Sequence, residues 1–152
     1  MWKTDYKLMN KQLAALMEGE ASWLPVLSNA SALLMEALQD INWAGFYLMD
    51  EGSLLLGPFQ GKVACVRIEV GKGVCGTAVA TDTIQRVEDV HAFPGHIACD
   101  AASASEIVVP LHDKGKVVGV LDIDSPLKGR FSQEDQEGLA AFVKVLESEI
   151  VW

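Results

Sequence analysis

Three cysteines and three acidic residues stand at positions where their chemistry can matter. Cys65, Cys75 and Cys99 form no C-x-x-C pair, being ten and twenty-four residues apart. That spacing argues against a zinc ribbon and against a thioredoxin-like redox motif. A metal site would have to combine them with His91, His96 or His112, and the single H-x-x-C from His96 to Cys99 is a weak signal. We therefore expect neither a metal nor a cofactor. Cys75 sits beside Val74, Ala78 and Val79 on a predicted helix, where packing as a small hydrophobe is the plain alternative. Cys99 lies in a polar stretch between Ala98 and Asp100, with His96 close in sequence. An accessible thiol near an imidazolium gains thiolate character and becomes a nucleophile.

The acids interrupt apolar segments. Glu106 opens Glu106-Ile107-Val108-Val109-Pro110-Leu111, and Asp122 and Asp124 punctuate Val117 to Asp124. Residues two apart on a strand point to the same face, so Asp122 and Asp124 project together. With Glu106 on the neighbouring strand, the three converge on one pocket. Such a cluster binds an ammonium group, or keeps one carboxyl protonated through like-charge repulsion. The alternative is an Asp pair at a strand end facing solvent. Trp43 and Tyr47, four apart on a strand, also share a face and serve either as core or as an aromatic wall for a sulfur-bearing ligand.

These residues need a scaffold. Leu8, Gln12, Leu13, Leu16 and Met17 predict one helix ended by Gly19. Ser22 is an N-cap candidate for a second, with Pro25 in its first turn and Trp23, Leu24, Val26, Leu27, Ala30, Leu33, Leu34 and Leu38 on its buried face. Asp40-Ile41-Asn42 breaks it. Trp43–Met49 and Leu54–Phe59 read as a hairpin. Ala64 to Val70 reads as a third strand, with Val66, Ile68 and Val70 on its apolar side. A short helix runs from Val74 to Thr81, and Val87 to Ile97 is an irregular loop. Ser105–Leu111 and Val117–Ile123 form a second hairpin. Ser132-Gln133-Glu134-Asp135 is a capping box opening a helix through Leu139, Ala141, Phe142, Val145 and Leu146. Terminal helices around hairpin-connected strands indicate an α+β fold with an antiparallel sheet.

With 152 residues, the chain has the length of one domain, spanning residues 1–152. Half its residues are hydrophobic and its net charge is −9, which disfavours nucleic acid and anionic membrane surfaces as partners. No apolar run reaches the roughly 18 residues of a membrane helix, and the N-terminus does not read as a secretory signal. The thiols are thus expected in a reducing cytoplasm, where a disulfide is more often chemical than structural.

Four segments together carry a resemblance: Gly57-Pro58-Phe59-Gln60-Gly61, Gly71 to Ala78, Asp89 to Asp100, and Leu121-Asp122-Ile123-Asp124-Ser125-Pro126. They are similar to the free methionine-R-sulfoxide reductases, enzymes built on a GAF domain. The resemblance runs from about Leu13 onward, and the loop ending in Cys99 and the Asp-Ile-Asp-Ser-Pro segment are its most specific parts. It implies a GAF-like (PAS-like) six-stranded antiparallel sheet with helices on both sides. The N- and C-terminal helices would pack on one face, and loops would close a small pocket on the other.

The resemblance also implies a chemistry: reduction of free L-methionine (R)-S-oxide to L-methionine. Cys99 would be the nucleophile, Cys65 the resolving thiol and Cys75 a possible second resolving thiol. The Cys65–Cys99 disulfide would be reopened by thioredoxin. Glu106 and Asp124 would deliver the proton to the sulfoxide oxygen, and Asp122 with Glu106 would hold the α-ammonium. Trp43 and Tyr47 would wall the S-methyl side. A cytoplasmic homodimer serving in oxidative stress is the family expectation. The alternative is a non-catalytic GAF module that senses a small ligand. Against it stand a chain with little room for a signalling output and an acidic pocket better suited to a cation than to a phosphate.

Overall fold

The strands of this protein separate two chemically different faces. A computed structural model describes residues 3–96 and 102–152. Strand β1 (Trp43–Asp50) sends Ala44 and Phe46 to one side and Trp43 and Tyr47 to the other. In β5 (Ser105–Asp113), Ile107, Val109 and Leu111 take the first side and Val108 the second. In β6 (Lys116–Ser125), Leu121 and Ile123 oppose Val120 in the same way. Period-two alternation makes this separation unavoidable.

With β2 (Ser53–Gly61), β3 (Arg67–Glu69) and β4 (Gln85–Val87), these strands form a six-stranded sheet in the order β3-β2-β1-β6-β5-β4. Every neighbouring pair is antiparallel. Helices α1 (Tyr6–Met17), α2 (Trp23–Ala37) and α4 (Gln133–Glu149) cover the first face, burying Leu13, Leu27, Leu34, Leu139 and Phe142 completely. Each such side chain contributes about 1.5–3 kcal/mol through its burial. Helix α3 (Gly73–Thr81) lies on the other face, placing Val74, Cys75 and Ala78 against Tyr47, Leu54, Val108 and Val120. This is the α+β, GAF-like arrangement, with the terminal helices together on one face.

The predicted capping box at Ser132 is formed: its Oγ accepts from the Asp135 amide at 3.1 Å, and the Asp135 carboxylate accepts from the Ser132 amide at 2.8 Å. Asp135 also accepts from the Tyr6 hydroxyl at 2.6 Å and pairs with Arg130 at 3.0 Å, tying α1 to the start of α4.

Several details differ from the sequence reading. The buried line of α1 runs through Met9, Leu13 and Met17, whereas Leu8 and Leu16 are exposed, as is Leu24 of α2. In α4, Val143 rather than Ala141 is buried. Ser22 occupies the N-cap of α2, but its hydroxyl donates to Glu20 instead of capping the helix. The third strand is only Arg67–Glu69, and of its apolar side only Ile68 is buried; Val66 is exposed although its carbonyl accepts from the Leu56 amide at 2.9 Å. The irregular loop begins with the end of strand β4 and contains a 3-10 turn at Val90–Ala92.

Candidate active site

Register brings the three acids into one place. Glu106 pairs with Asp124, and Asp124 pairs in turn with Trp43, so these three form one row across β5, β6 and β1. Asp122 stands in the next row on the same face, between Val108 and Gly45. Diagonal neighbours in adjacent rows lie within reach of long side chains. At the other side of this row, Phe59 of β2 leans over Gly45: a Cβ on Gly45 would come within 2.3 Å of the Phe59 Cβ. The absent side chain lets Phe59 stack on Trp43, centroids 5.1 Å apart, and Trp43 stacks on Tyr47 at 5.9 Å.

Both aromatic rings are anchored by their polar ends, as buried Trp and Tyr require. The Trp43 indole donates to the Lys62 carbonyl at 3.1 Å and the Tyr47 hydroxyl donates to the Cys65 carbonyl at 2.9 Å. These bonds hold the segment after β2 over the sheet. The result is a cavity of about 60 Å³. Trp43 and Tyr47 wall one part of it, Glu106, Asp122 and Asp124 line its floor, and Cys75, Val74 and Lys72 come from the start of α3. The two rings are therefore core and wall at once.

Electrostatics single out the acids. Glu106 and Asp122 are almost wholly buried, at 7% and 5% exposure. Burial, reinforced by the charges of Asp122 and Asp124, holds the Glu106 carboxyl well above the usual carboxylate range. Burial also raises Asp122, but hydrogen bonds from Glu106 and Cys75 oppose the rise. Both buried carboxyls are thus held toward the protonated form, Glu106 with its neighbours' charges adding to burial and Asp122 against the hydrogen bonds that it accepts. Oδ1 of Asp122 is buried with no hydrogen-bond partner among the described residues. A buried acceptor left unpaired costs about 1–3 kcal/mol, so an acceptor with no partner among the described residues, beside a cavity, is placed to take a donor from a ligand.

Cys75 is buried and free, its thiol pushed up by burial and by Asp122 and Glu106, and its Sγ lies 3.9 Å from Glu106 Oε2. Cys65 is half-buried and disulfide-bonded. Cys99 lies outside the described residues, and so does the H-x-x-C reading that depended on it. Among the described residues, Cys75, Glu106 and Asp122 are the group whose donor atoms come close enough to hold a metal ion. Sequence reasoning missed Phe59, Lys72 and Ser103; His96, a candidate metal ligand and a neighbour of Cys99 in the sequence, also lines the cavity. Only the Gly71-Lys72-Gly73 turn before a helix offered a signal, since such a turn presents backbone N–H groups to a ligand.

Fold and pocket together define a GAF domain, and the GAF domain profile matches residues 27–147. The chain is 62% identical over 148 residues to the free methionine-R-sulfoxide reductase of Escherichia coli (strain K12), covering 97% of this chain and 90% of that protein. It is 48% identical over 145 residues to the protein of that name from Saccharomyces cerevisiae, covering 90% of this chain and 81% of the relative. The structure of fRMsr of Staphylococcus aureus in complex with substrate superposes with a TM-score of 0.94 at 53% identity, covering 99% of each chain. The chain belongs to the free methionine-R-sulfoxide reductase family.

Proposed function

We propose that this chain reduces free methionine (R)-sulfoxide to methionine with Cys99 as nucleophile. The observation that carries the reading is the unpaired Asp122 oxygen, buried in an acidic floor beside an aromatic wall. An α-ammonium supplies the N–H donor that Asp122 lacks, and Glu106 flanks it. Peptide-bound methionine has no such charge, which explains a preference for the free amino acid. Lys72 and the first turn of α3, which has no side-chain cap, also line the cavity and provide a positive field for the α-carboxylate. The rings of Trp43 and Tyr47 pack against the S-methyl end and select the epimer.

The chemistry then runs in three balanced steps. The Cys99 thiolate attacks the sulfoxide sulfur as a proton from Glu106, shared with Asp124, goes to the oxygen; the hydroxyl then passes from the substrate sulfur to the Cys99 sulfur while the transient sulfur–sulfur bond breaks, leaving methionine and a Cys99 sulfenic acid. The Cys65 thiol condenses with the sulfenic acid, forming the disulfide and releasing water. A dithiol protein, which we take to be thioredoxin, reduces that disulfide by exchange and is itself oxidised. The disulfide-bonded state of Cys65 supports its resolving role. Cys75, whose thiol burial disfavours as a thiolate, is the weaker second resolver.

No helix among the described residues is long and apolar enough to cross a membrane. The same reading makes the protein a cytoplasmic homodimer acting under oxidative stress, and light scattering tests the dimer. A thioredoxin-coupled assay with free R-, free S- and peptidyl methionine sulfoxide in parallel tests the reaction. Turnover of the free R epimer alone is expected. Equal turnover of all three overturns the pocket assignment, and binding without turnover favours the ligand-sensing GAF alternative.

A further inference from the structure

We propose that Cys75, Glu106 and Asp122 form a binding site for a thiophilic divalent cation such as Zn²⁺, and that its occupancy excludes the substrate ammonium. The donors come from three different elements, α3, β5 and β6, and their ligand atoms all lie within 4.8 Å of one another. The Cys75 Sγ to Glu106 Oε2 separation is 3.9 Å. A tetrahedral zinc with bonds of about 2.3 Å to sulfur and about 2.0–2.2 Å to oxygen sets such donors roughly 3.5 Å apart, so the cluster needs only a small inward closure. Asp122 Oδ1, buried beside the cavity without a donor among the described residues, is the second sign of a cationic ligand.

The donor set selects the ion. Calcium and magnesium take oxygen ligands, whereas one thiolate with two carboxylates suits zinc or cadmium. Three protein ligands leave the fourth position open toward the cavity. On binding, the Cys75 thiol and the Glu106 carboxyl each release a proton to solvent; nothing is oxidised or reduced. The mechanism above makes little use of Cys75, and this assigns it a part as the sulfur arm of a cation trap. Exclusion of the ammonium rests on the substrate reading given above; metal binding itself does not.

Cadmium is the probe, because its bond to a thiolate absorbs in the ultraviolet. In a Cys65→Ser/Cys99→Ser variant, Cys75 is the remaining thiol. Titration with Cd²⁺ should give a charge-transfer band saturating at one equivalent, displaced by Zn²⁺ and abolished by adding Cys75→Ser. Asp122→Asn and Glu106→Gln, with folding checked by near-ultraviolet circular dichroism, should each weaken binding at least about tenfold. No band, a band that survives Cys75→Ser, or unchanged affinity in both acid variants overturns the site. Free methionine should raise the apparent Kd for Cd²⁺. A saturable band that free methionine leaves untouched overturns the placement of the ammonium instead, so the two failures are separable.

Discussion

Replacing Glu106 with glutamine should make the protein more stable while disabling it, and the gain should grow with pH. The folded chain holds a proton on Glu106 because burial and the neighbouring aspartates raise its carboxyl well above the ordinary value of 4.5. In the unfolded chain that proton is gone at neutral pH. Above the ordinary value the native state therefore binds one more proton than the unfolded state, and stability falls as pH rises until the raised value is passed. One proton is worth about 1.4 kcal/mol per pH unit in that window. For a chain of this size about 1 kcal/mol moves Tm by roughly 2–4 °C, so the wild type should lose roughly 3–6 °C per pH unit from this group. The glutamine side chain of Glu106→Gln does not titrate, keeps the shape and offers an N–H to Asp122. Thermal melts of both proteins from pH 5 to 8 check this, because all other titrations common to both cancel in the difference. A widening Tm gap is expected, with a rate loss of about 10²–10⁴ from the missing acid. Parallel Tm curves would refute the placement of the proton on Glu106.

Other perturbations test separate parts of the site. Cys99→Ser should abolish turnover, and Cys65→Ser should release about one methionine per enzyme and then stall, as a single-turnover assay with product quantitation would show. Steady thioredoxin-coupled cycling in Cys65→Ser would remove Cys65 as resolver. Asp122→Asn should raise KM by roughly ten- to a hundredfold with a smaller effect on kcat, the loss of one charge-assisted hydrogen bond of about 1.5–3 kcal/mol; an unchanged KM sinks the ammonium assignment. Gly45→Ala forces a Cβ to within 2.3 Å of Phe59 and 2.9 Å of the Pro58 carbonyl. Overpacking of this kind costs about 1–3 kcal/mol, so denaturant unfolding should show a destabilised protein, with KM raised as the Trp43–Phe59 stack shifts.

The convergence of the acids was legible because it depends only on strand period and on pairing between hairpin neighbours. Asp122 and Asp124 must share a face, and a short hairpin between Leu111 and Val117 must set β5 beside β6. Residues that line the cavity, or buttress its wall, by other routes were illegible. Phe59 matters because Gly45, on a different strand, lacks a side chain, and a bulge between Gly45 and Tyr47 alters the local register. Lys72 and Ser103 arrive from turns whose direction no periodicity encodes. Strand β4 escaped notice because Gln85-Arg86-Val87 has no alternation of its own; it is a strand only through its pairing with β5. In α1, Leu8 and Met9 are adjacent and both apolar, and only the packing of the helix on the core decides that Met9 is buried and Leu8 exposed.

The acidic floor answers two demands that compete. Gripping an ammonium needs negative charge, whereas protonating a sulfoxide oxygen needs a neutral carboxyl. On the reading proposed above the tasks divide, since Asp122 carries the oxygen with no partner among the described residues and Glu106 the raised proton affinity. Binding then couples them. An ammonium arriving beside Asp122 favours the ionised form of every nearby acid, so it lowers the proton affinity of Glu106. The acid strengthens at the moment a proton acceptor is in place. The high-pH limb of kcat reports Glu106 with substrate bound, and that of kcat/KM reports the free enzyme. The limb in kcat should therefore fall at lower pH than the limb in kcat/KM. In Asp122→Asn, where the ammonium is held less closely, the two limbs should approach each other. Limbs that coincide in the wild type would show that the cation and the proton do not sense one another, and the two tasks would have to be assigned to separate places.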